Sequence, residues 1–261
     1  FLNNDLELTT DCIKELVILL DSDPHIGAAI PKILYHSNDR HFSPSNLATI
    51  NSFGVLINYT GIACPNLVGQ IDRDDLSLTE TACGGIFMFT REVYEQVGGF
   101  DEDLFLYHED HDLSWRIRLG GWKLMVTPKS VCHHHYNFNK GVQKFYWSEK
   151  NRLHILLKNL EYKTLILISP ALIVIELAQN IHALTHGWFR LKLKTYFEIL
   201  GQFPQIARKR RQIKFFRKVN DKEISRLYQG KIFVSGMKNP LIDYILSPLL
   251  NIYWKLIRGW I

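Results

Sequence analysis

Cysteine is scarce in this chain of 261 residues, which has four, at positions 12, 64, 83 and 132. None belongs to a Cys-x-x-Cys pair, which argues against a disulfide scaffold and a zinc ribbon and is typical of a reducing compartment. The sequence also has no signal-peptide pattern, internal repeat or low-complexity stretch. Because 46% of its residues are hydrophobic and 12% aromatic, the chain can bury one sizeable core.

Long apolar runs are also missing. A bilayer-spanning helix needs about 20 apolar residues. The strongly apolar stretch 165–175 is shorter, and Glu176, Gln179, Asn180 and His182 follow it. Spanning a membrane would therefore bury several polar groups, and we expect a buried or interfacial helix here.

Charge is divided unevenly along the chain. Residues 1–149 hold 11 Lys and Arg against 20 Asp and Glu, whereas residues 150–261 hold 20 against 6. Such asymmetry suggests two parts with different physical roles. We therefore expect one domain over residues 1–150 and a basic, amphipathic helical tail over residues 151–261.

The hydrophobic pattern favours alternating helices and strands up to about residue 140, which indicates an α/β layer architecture. Pro31 predicts that its strand lies at a sheet edge or ends there, and Pro128 separates two further strands. Thr90 predicts a helix N-cap. The pattern predicts strands over 27–34, 52–57, 84–89, 123–127 and 130–134, and helices over 11–21, 91–97 and 109–119.

The most informative tract lies between Gly98-Gly99 and Arg116. It concentrates acidic and imidazole side chains within twelve positions, namely Asp101, Glu102, Asp103, His108, Glu109, Asp110, His111 and Asp112. Adjacent carboxylates repel one another and raise each other's pKa, so a fold gains little from them. One or two acids are common in the first turn of a helix, where the dipole stabilises them, but this explains the whole group poorly. The tract indicates a site that removes a proton or holds a cation.

A resemblance to a known family is carried by residues 84–102 and 105–116, with Gly121, Pro128 and His133 in register. These residues resemble family 2 glycosyltransferases, most closely the rhamnosyltransferase-like branch that builds bacterial cell-surface polysaccharides. The likeness covers about residues 1–160. It implies a GT-A fold, in which a Rossmann-like sheet binds a nucleotide-sugar through a divalent cation. It also implies a reaction that inverts the configuration at the anomeric centre of the sugar.

The resemblance assigns Asp110 as the general base, because a carboxylate can take the proton of a sugar hydroxyl as the new bond forms. Glu109 and Asp112 are expected to raise the pKa of Asp110. The acceptor pocket is expected to include Glu109, Asp112, Trp115, Arg116, Gly84 and Gly85. Two of these positions have a second interpretation: Trp115 equally suits the core, and Gly84-Gly85 equally suits a tight strand entry.

Asn3-Asn4-Asp5 falls where the family carries its metal-binding acidic motif. The resemblance implies that Asp5 holds Mg²⁺ or Mn²⁺ at the donor diphosphate, although the motif has one ionisable residue instead of two and also suits a turn. Asp72 is a weaker candidate for donor contact. His133 aligns with a metal or diphosphate ligand, while a zinc site formed by His133, His134 and His135 and an ordinary polar strand end remain alternatives.

The basic half predicts contact with a membrane. Residues 240–261 place Asp243, Ser247, Asn251, Lys255 and Arg258 on one polar stripe among aromatic and aliphatic residues, which suits the headgroup region, and Pro248 is expected to kink or divide the helix. The basic residues between Arg208 and Lys218 form a cationic block. This block would attract anionic lipid, or it forms a solvated helix face. We expect no nucleic-acid partner, since no such signature accompanies the block.

These observations predict the C-terminal part of a GT-A (Rossmann-like) nucleotide-sugar transferase domain followed by a membrane-associated helical tail. Phe1-Leu2 resembles the end of a buried strand, so we expect that nucleotide-binding strands precede it. The predicted enzyme acts at the cytoplasmic face of the membrane on a lipid-linked or glycan acceptor. The alternatives are a non-catalytic membrane-bound remnant that binds glycan or a partner protein, and a metal-dependent hydrolase built on the histidines.

Overall fold

The computed structural model describes residues 1–36, 47–135, 141–232 and 239–261. The first part contains both strands and helices, which confirms the predicted α/β class. The regular alternation that the pattern favoured is not observed in these ranges, because six consecutive strands lie between the first two helices and the second helix is followed directly by the third. The strands are β1 (Leu6–Leu8), β2 (Ile26–Tyr35), β3 (Ile50–Ser52), β4 (Val55–Asn58), β5 (Ala63–Pro65), β6 (Thr79–Glu80), β7 (Met88–Phe89), β8 (Lys123–His134) and β9 (Tyr228–Gln229).

The helices agree with the predicted ones in the first part and dominate the second. Thr90 Oγ1 accepts a hydrogen bond from Val93 N at 3.3 Å, as its N-cap role requires. The helices are α1 (Cys12–Ser22), α2 (Arg91–Val97), α3 (Glu109–Leu119), α4 (Gln143–Asn159), α5 (Tyr162–Thr185), α6 (Phe189–Phe216), α7 (Asp221–Ser225) and α8 (Ser247–Ile257).

The main sheet has the order β1-β8-β2-β3, with β6 paired to β8 and β7 paired to β2. β2 and β8 are parallel, and all ten residues of β2 are buried. The expectation that Pro31 marks an edge or strand end was therefore wrong. The register shifts between Pro31 and Lys32, and such an irregularity lets a central strand accommodate a residue without an N–H donor.

Two predicted strand boundaries were also wrong. β8 runs without interruption from Lys123 to His134, although Pro128 suggested two strands. The predicted strand over 84–89 is reduced to Met88 and Phe89, because Gly84 and Gly85 lead into the sheet without joining its ladder. Both regions still reach the sheet at the predicted place.

A small second sheet joins the two halves of the chain, in the order β5-β4-β9. The Asn58 side chain donates to the carbonyl oxygens of Gln229, Gly230 and Lys231 at 3.0–3.1 Å. Nearby, the Tyr59 ring stacks on Trp254, with centroids 4.7 Å apart. The helical part thus shares a core with the first part, while the division near residue 150 stays a prediction.

Helix α5 is longer than the apolar run within it. Its 24 residues are long and apolar enough to cross a membrane by length and composition, with a mean hydropathy of 1.8, but only 22% of its most apolar window is buried. Of the two expectations for this segment, a buried or an interfacial helix, the low burial disfavours the first. The interfacial alternative remains.

The C-terminal segment begins with a π-helical turn, Ile242–Leu246, that continues into α8. Pro248 is the second residue of α8 and directly follows the π-helical turn. The helical backbone therefore runs through the proline, and its regular α-helical pattern is interrupted just before it. The expected polar stripe is incomplete, because Ser247 is buried and bonds the backbone of Ile232. Asp243, Lys255 and Arg258 of the expected stripe are exposed. The exposed apolar residues of this segment are Leu241, Tyr244, Ile245, Leu249, Ile252, Leu256 and Trp260.

Candidate active site

The acidic tract separates into structural carboxylates and one candidate base. Asp112, expected in the acceptor pocket, is completely buried. Its carboxylate accepts from Arg116 Nε at 2.8 Å and Asn159 Nδ2 at 2.9 Å, and pairs with Lys158 Nζ at 2.7 Å. Burial alone would raise the pKa of Asp112, but the charges of Lys158 and Arg116 outweigh it and hold the pKa well below its usual range. Asp112 therefore holds α3 against α4 and cannot contact an acceptor.

Asp101 and Asp103 are also neutralised by the helical half. Asp101 pairs with Lys158 and Lys209, and Asp103 pairs with Lys209 and accepts from Gln205 Nε2 at 2.9 Å. Burial raises the pKa of Asp101, yet the two lysines lower it overall to about 2. The crowding of like charge in the sequence is thus relieved by cations that lie about 50 to 100 residues further along the chain.

Three other residues expected in the acceptor pocket have structural roles. Trp115 is 2% exposed and packs edge-on against Tyr228. Arg116 is buried and donates to Asp112 and to the carbonyl oxygens of Val97 and Gly99. These contacts fit the core interpretation of Trp115 and give Arg116 a structural role at the same helix. Gly84 is buried against Ile30.

Asp110 differs from its acidic neighbours because the described residues place no cation against it. Its Oδ1 accepts from the backbone N of His111 at 2.7 Å. Burial is the main cause that raises the pKa of Asp110, to about 6, and hydrogen bonds to backbone N–H groups limit the rise. The predicted direction of the shift is therefore confirmed, but the cause is desolvation and not the charges of Glu109 and Asp112.

Gly85 leaves room beside Asp110. A methyl group in place of its hydrogen would lie 3.5 Å from Asp110 Oδ2, an ordinary van der Waals contact. The same carboxylate is close enough to Cys83 to add to the effect of burial, which raises the pKa of that thiol. Glu109 acts on the same thiol in the same direction. Asp110, Glu109, Gly85 and Cys83 therefore lie together at the start of α3.

The turn that positions Asp110 has an uncommon backbone. Tyr107 and His108 both have positive φ, 66° and 65°, a conformation that costs energy for residues with a Cβ. Asn151 of α4 holds this turn, because its Nδ2 donates to the carbonyl oxygens of Leu106 and Tyr107 at 2.9 and 2.8 Å. The sequence offered no signal for Asn151 as a positioning residue, since it lies 41 positions away from Asp110 in a helix.

Two imidazoles lie beside the candidate base. His108 Nδ1 and His111 Nδ1 are 3.2 Å apart, and His108 Nε2 is 3.3 Å from Ser148 Oγ. Burial lowers the pKa of His108 to about 4 and that of His111 to about 3. Both rings are therefore neutral near pH 7, and neither supplies a positive charge that would lower the pKa of Asp110.

The candidate cation site forms where β1 meets β8. His134 Nε2 lies 3.2 Å from Asp5 Oδ2, and His134 Nδ1 lies 3.2 Å from Asn51 Oδ1. Asp5 Oδ1 is shielded from solvent and has no hydrogen-bond partner among the described residues. A shielded, unpartnered carboxylate oxygen beside an imidazole fits a divalent cation, so these residues fit the metal that the resemblance implies.

The expected histidine ligand needs correction. His133 lies opposite Glu7 in the β1–β8 ladder, and its ring meets that of His36 edge-on. Because side chains alternate along a strand, His134 and not His133 faces Asp5. Among the described residues, no hydrogen bond or ion pair joins Asp110 to Asp5 or to His133.

A second group of potential metal ligands lies on the His133 side of this strand pair. Glu7 Oε2 is 3.3 Å from His36 Nε2 and 3.7 Å from His135 Nε2. This arrangement differs from the predicted zinc site, which used three consecutive histidines. Asp72, the weaker donor candidate, has both carboxylate oxygens engaged by Lys32 Nζ at 2.8 and 2.7 Å.

Replacement of Gly84 or Gly85 by alanine is expected to affect the free energy of unfolding to different extents. In Gly84→Ala the new methyl would lie 2.6 Å from Ile30 Cδ1 in the buried core, so we expect a loss of about 1–3 kcal/mol in the free energy of unfolding. Gly85→Ala has space and should stay within about 1 kcal/mol of the parent. Urea unfolding of both variants measures this difference. Equal losses would show that Gly84 is not packed as described.

Comparisons with known proteins agree with the class that this site indicates. Residues 76–140 match the family model described as the N-terminal domain of galactosyltransferase. This match covers α2, α3 and β8, and therefore Asp110. Over these residues the chain is thus similar to a glycosyltransferase domain, in agreement with the sequence resemblance.

Three curated relatives are transferases or polysaccharide-biosynthesis proteins. Rhamnosyltransferase WbbL of Escherichia coli K12 is 28% identical over 166 residues, 60% of each chain. The O-antigen biosynthesis protein RfbC of Myxococcus xanthus is 27% identical over 148 residues, 52% of this chain and 10% of that protein. The N-acetylglucosaminyl-diphospho-decaprenol L-rhamnosyltransferase of Mycobacterium tuberculosis is 38% identical over 58 residues, 22% of this chain and 19% of that protein. The predicted resemblance to the rhamnosyltransferase-like branch is confirmed.

These relatives are longer than the matched part. The chain spans between a tenth and three fifths of their length. Among solved structures, the crystal structure of GalNAc-T7 with UDP, GalNAc and Mn²⁺ aligns with a TM-score of 0.46 and 17% identity, over 64% of this chain and 32% of that one.

Proposed function

We propose that this chain is part of an inverting glycosyltransferase of the GT-A type. It moves a sugar from a nucleotide-sugar to a lipid-linked or growing glycan acceptor in cell-surface polysaccharide synthesis. The observation that carries the proposal is the desolvated Asp110 carboxylate beside Gly85, at the start of α3. The family match across this region and the named transferase relatives support it.

Asp110 suits the role of base in a single displacement. Its carboxylate takes the proton of the acceptor hydroxyl while the hydroxyl oxygen bonds to the anomeric carbon, and the bond from that carbon to the diphosphate oxygen breaks. With a pKa of about 6, Asp110 is mostly ionised at neutral pH, yet it is a stronger base than an ordinary aspartate. Gly85 leaves space on the side of the carboxylate where an acceptor could approach.

Asp5 and His134 are the residues that would hold a divalent cation, with His133 as the neighbouring position that the resemblance indicated. Mg²⁺ or Mn²⁺ held there would supply positive charge to offset the charge of the leaving diphosphate. Asp5 would contribute the shielded Oδ1, and Asn51 would orient the His134 ring through its Nδ1. Asp72 would have to exchange its bonds to Lys32 before it could contact a donor.

The proposal is tested with a panel of nucleotide-sugars, assayed on the purified protein. Transfer from at least one donor, dependent on Asp110, supports the proposed function. If no donor gives transfer, the non-catalytic remnant becomes the better description. If the purified protein contains stoichiometric zinc by elemental analysis, the hydrolase alternative gains support.

A matched pair of histidine variants tests the cation site. His134→Ala should raise the Mn²⁺ concentration needed for half-maximal binding by about tenfold or more, because it removes the imidazole next to Asp5. His133→Ala, one position along the same strand, should change it little. Electron paramagnetic resonance of free Mn²⁺ measures both. A larger increase in His133→Ala than in His134→Ala would indicate that His133 is the ligand.

The tail supports a peripheral position at the cytoplasmic face of an anionic membrane. Part of its cationic block has structural partners: Lys209 binds Asp101 and Asp103, and Arg210 donates to the carbonyl oxygen of Leu157. Arg208, Arg211, Lys214 and Lys218 remain exposed. These cations and the exposed apolar residues between 241 and 260 are the features that would meet the lipid.

A further inference from the structure

Helix α5 exposes a row of apolar side chains along most of its length. Between Lys163 and Thr185 every exposed side chain is apolar, namely Ile166, Pro170, Ile173, Val174, Leu177, Ile181 and Leu184. These residues recur at intervals of three or four, so they form a stripe along one side of the helix. The helix is about 36 Å long at 1.5 Å per residue. Contiguous apolar surface of this extent marks an interaction site.

The polar side chains of α5 are satisfied on its opposite side. Glu176 pairs with Arg152 of α4 and with Lys192 of α6, the latter at 2.8 Å. Gln179 accepts from Lys192 Nζ at 2.9 Å and donates to Glu149 at 2.6 Å. The residues that interrupt the apolar run in the sequence therefore do not face outward. They fix which side of α5 is left uncovered.

The same ion pairs determine how α5 could meet a bilayer. A perpendicular orientation would carry Lys192 and Glu149 into the apolar layer with it. Lys194 of α6, which is exposed, would have to follow, because α6 packs on α5 after a three-residue connection, 186–188. The free-energy cost of moving these charges into the apolar layer is avoided if α5 lies parallel to the membrane plane. In that orientation its stripe faces the bilayer and its charged partners stay on the solvent side.

We propose that α5 is an in-plane membrane-contact helix whose stripe enters the headgroup–acyl boundary of an anionic bilayer. Exposed cations border the stripe at both ends, with Lys163 at the start of α5 and Arg190 and Lys194 just beyond it. The stripe also adjoins the C-terminal segment, because Tyr253 Oη donates to the Leu167 carbonyl oxygen at 2.7 Å. The proposal extends the membrane contact from residues 241–260 to α5.

Vesicle binding tests this without any need for sugar transfer. The pair Leu177→Glu/Ile181→Glu places two carboxylates in the stripe at positions that are 59% and 63% exposed, outside the core. Co-sedimentation with vesicles of phosphatidylethanolamine and phosphatidylglycerol should show a partition coefficient about tenfold or more below that of the parent. The matched control is Ile13→Glu/Val17→Glu, which has the same spacing on the exposed face of α1 and should bind like the parent.

A second measurement keeps the test decisive if the glutamate pair fails to fold. An environment-sensitive fluorophore attached at Leu177→Cys should shift to the blue when these vesicles are added, whereas one attached at Val17→Cys should not. The four native cysteines are buried, so labelling is selective. Equal responses at both positions would overturn the proposal. It would also be overturned by a dimer that the glutamate pair dissociates while vesicle binding is unchanged, because a second copy would then cover the stripe.

Discussion

Asp110→Asn is expected to lower the turnover number of sugar transfer by about a thousandfold, within the range of about 10²–10⁴ that general-base catalysis supplies. The amide keeps the size of the side chain and can still accept from His111 N, so the fold should be retained. It cannot take a proton from an acceptor hydroxyl. Steady-state kinetics with the donor identified in the panel measure the loss, and the Michaelis constant for the donor should change little.

The pH dependence gives a second measure of the same residue. Asp110 must be ionised to act as base, and burial raises its pKa to about 6. The rate should therefore be low in acid, increase through about pH 6 and level off above pH 7. Glu102→Gln is the matched control, because Glu102 is exposed in the same tract, and both its rate and its profile should equal the parent's. An Asp110→Asn protein with normal turnover would remove Asp110 as the base.

Lys158→Met is expected to lower the free energy of unfolding by about 3–5 kcal/mol, because it leaves buried carboxylates without their cation. Lys158 Nζ pairs with Asp112 at 2.7 Å and with Asp101, and its side chain is 2% exposed. Methionine retains most of the apolar volume, so the loss reports the charge and not a cavity. Urea denaturation followed by circular dichroism measures the change.

Lys214→Met controls for the loss of a lysine from a helix, since Lys214 is exposed on α6, and its effect should stay within about 0.5 kcal/mol. The double variant Asp112→Asn/Lys158→Met should recover part of the stability, because one uncompensated charge is removed with the cation. Equal losses for Lys158→Met and Lys214→Met would contradict the structural role of the network.

Acid is expected to lower the free energy of unfolding through the ion pairs of Lys158 with Asp101 and Asp112. The pKa of Asp101 is lowered to about 2 in the folded chain, whereas an unfolded aspartate titrates near about 3.9. Its contribution is fully present above pH 4 and is lost as the pH falls towards 2. Lys158→Met, which lacks a main cause of the low pKa, should be less stable at neutral pH but lose less stability on acidification.

Local signals in the sequence predicted much of the first part of the fold. The helical spacing in α1 and α3, the cap at Thr90 and the glycines that follow α2 and α3 are properties of a few neighbouring residues, and the structure agrees with them. Pro31 misled because its position in the sheet depends on a register shift with β8, almost 100 residues away. Pro128 misled for the same reason.

In the candidate site, too, some features follow from neighbouring residues and others depend on residues distant in the sequence. Asp110 and the cluster around it follow from the motif, but the distinction between Asp110 and Asp112 depends on Lys158 and Asn159 of α4. Nothing in the sequence near residue 110 indicates which carboxylate receives those partners. His133 was predicted as the ligand, whereas His134 is the histidine beside Asp5. This difference has another cause, because the register of β8 with β1 decides which residues of β8 share a face with Asp5. Periodicity shows that neighbouring histidines alternate, but not which one faces Asp5.

The pairing of β9 with β4 has a consequence for how the protein is made. β4 belongs to the first quarter of the chain, yet its parallel neighbour and the three carbonyl groups that bind Asn58 come from residues 228–231. On the ribosome, α5 is synthesised well before β9 emerges. The nascent chain thus presents α5, with its exposed apolar residues, while the small sheet is still open on one edge. Translation must pass residue 231 before that edge can close.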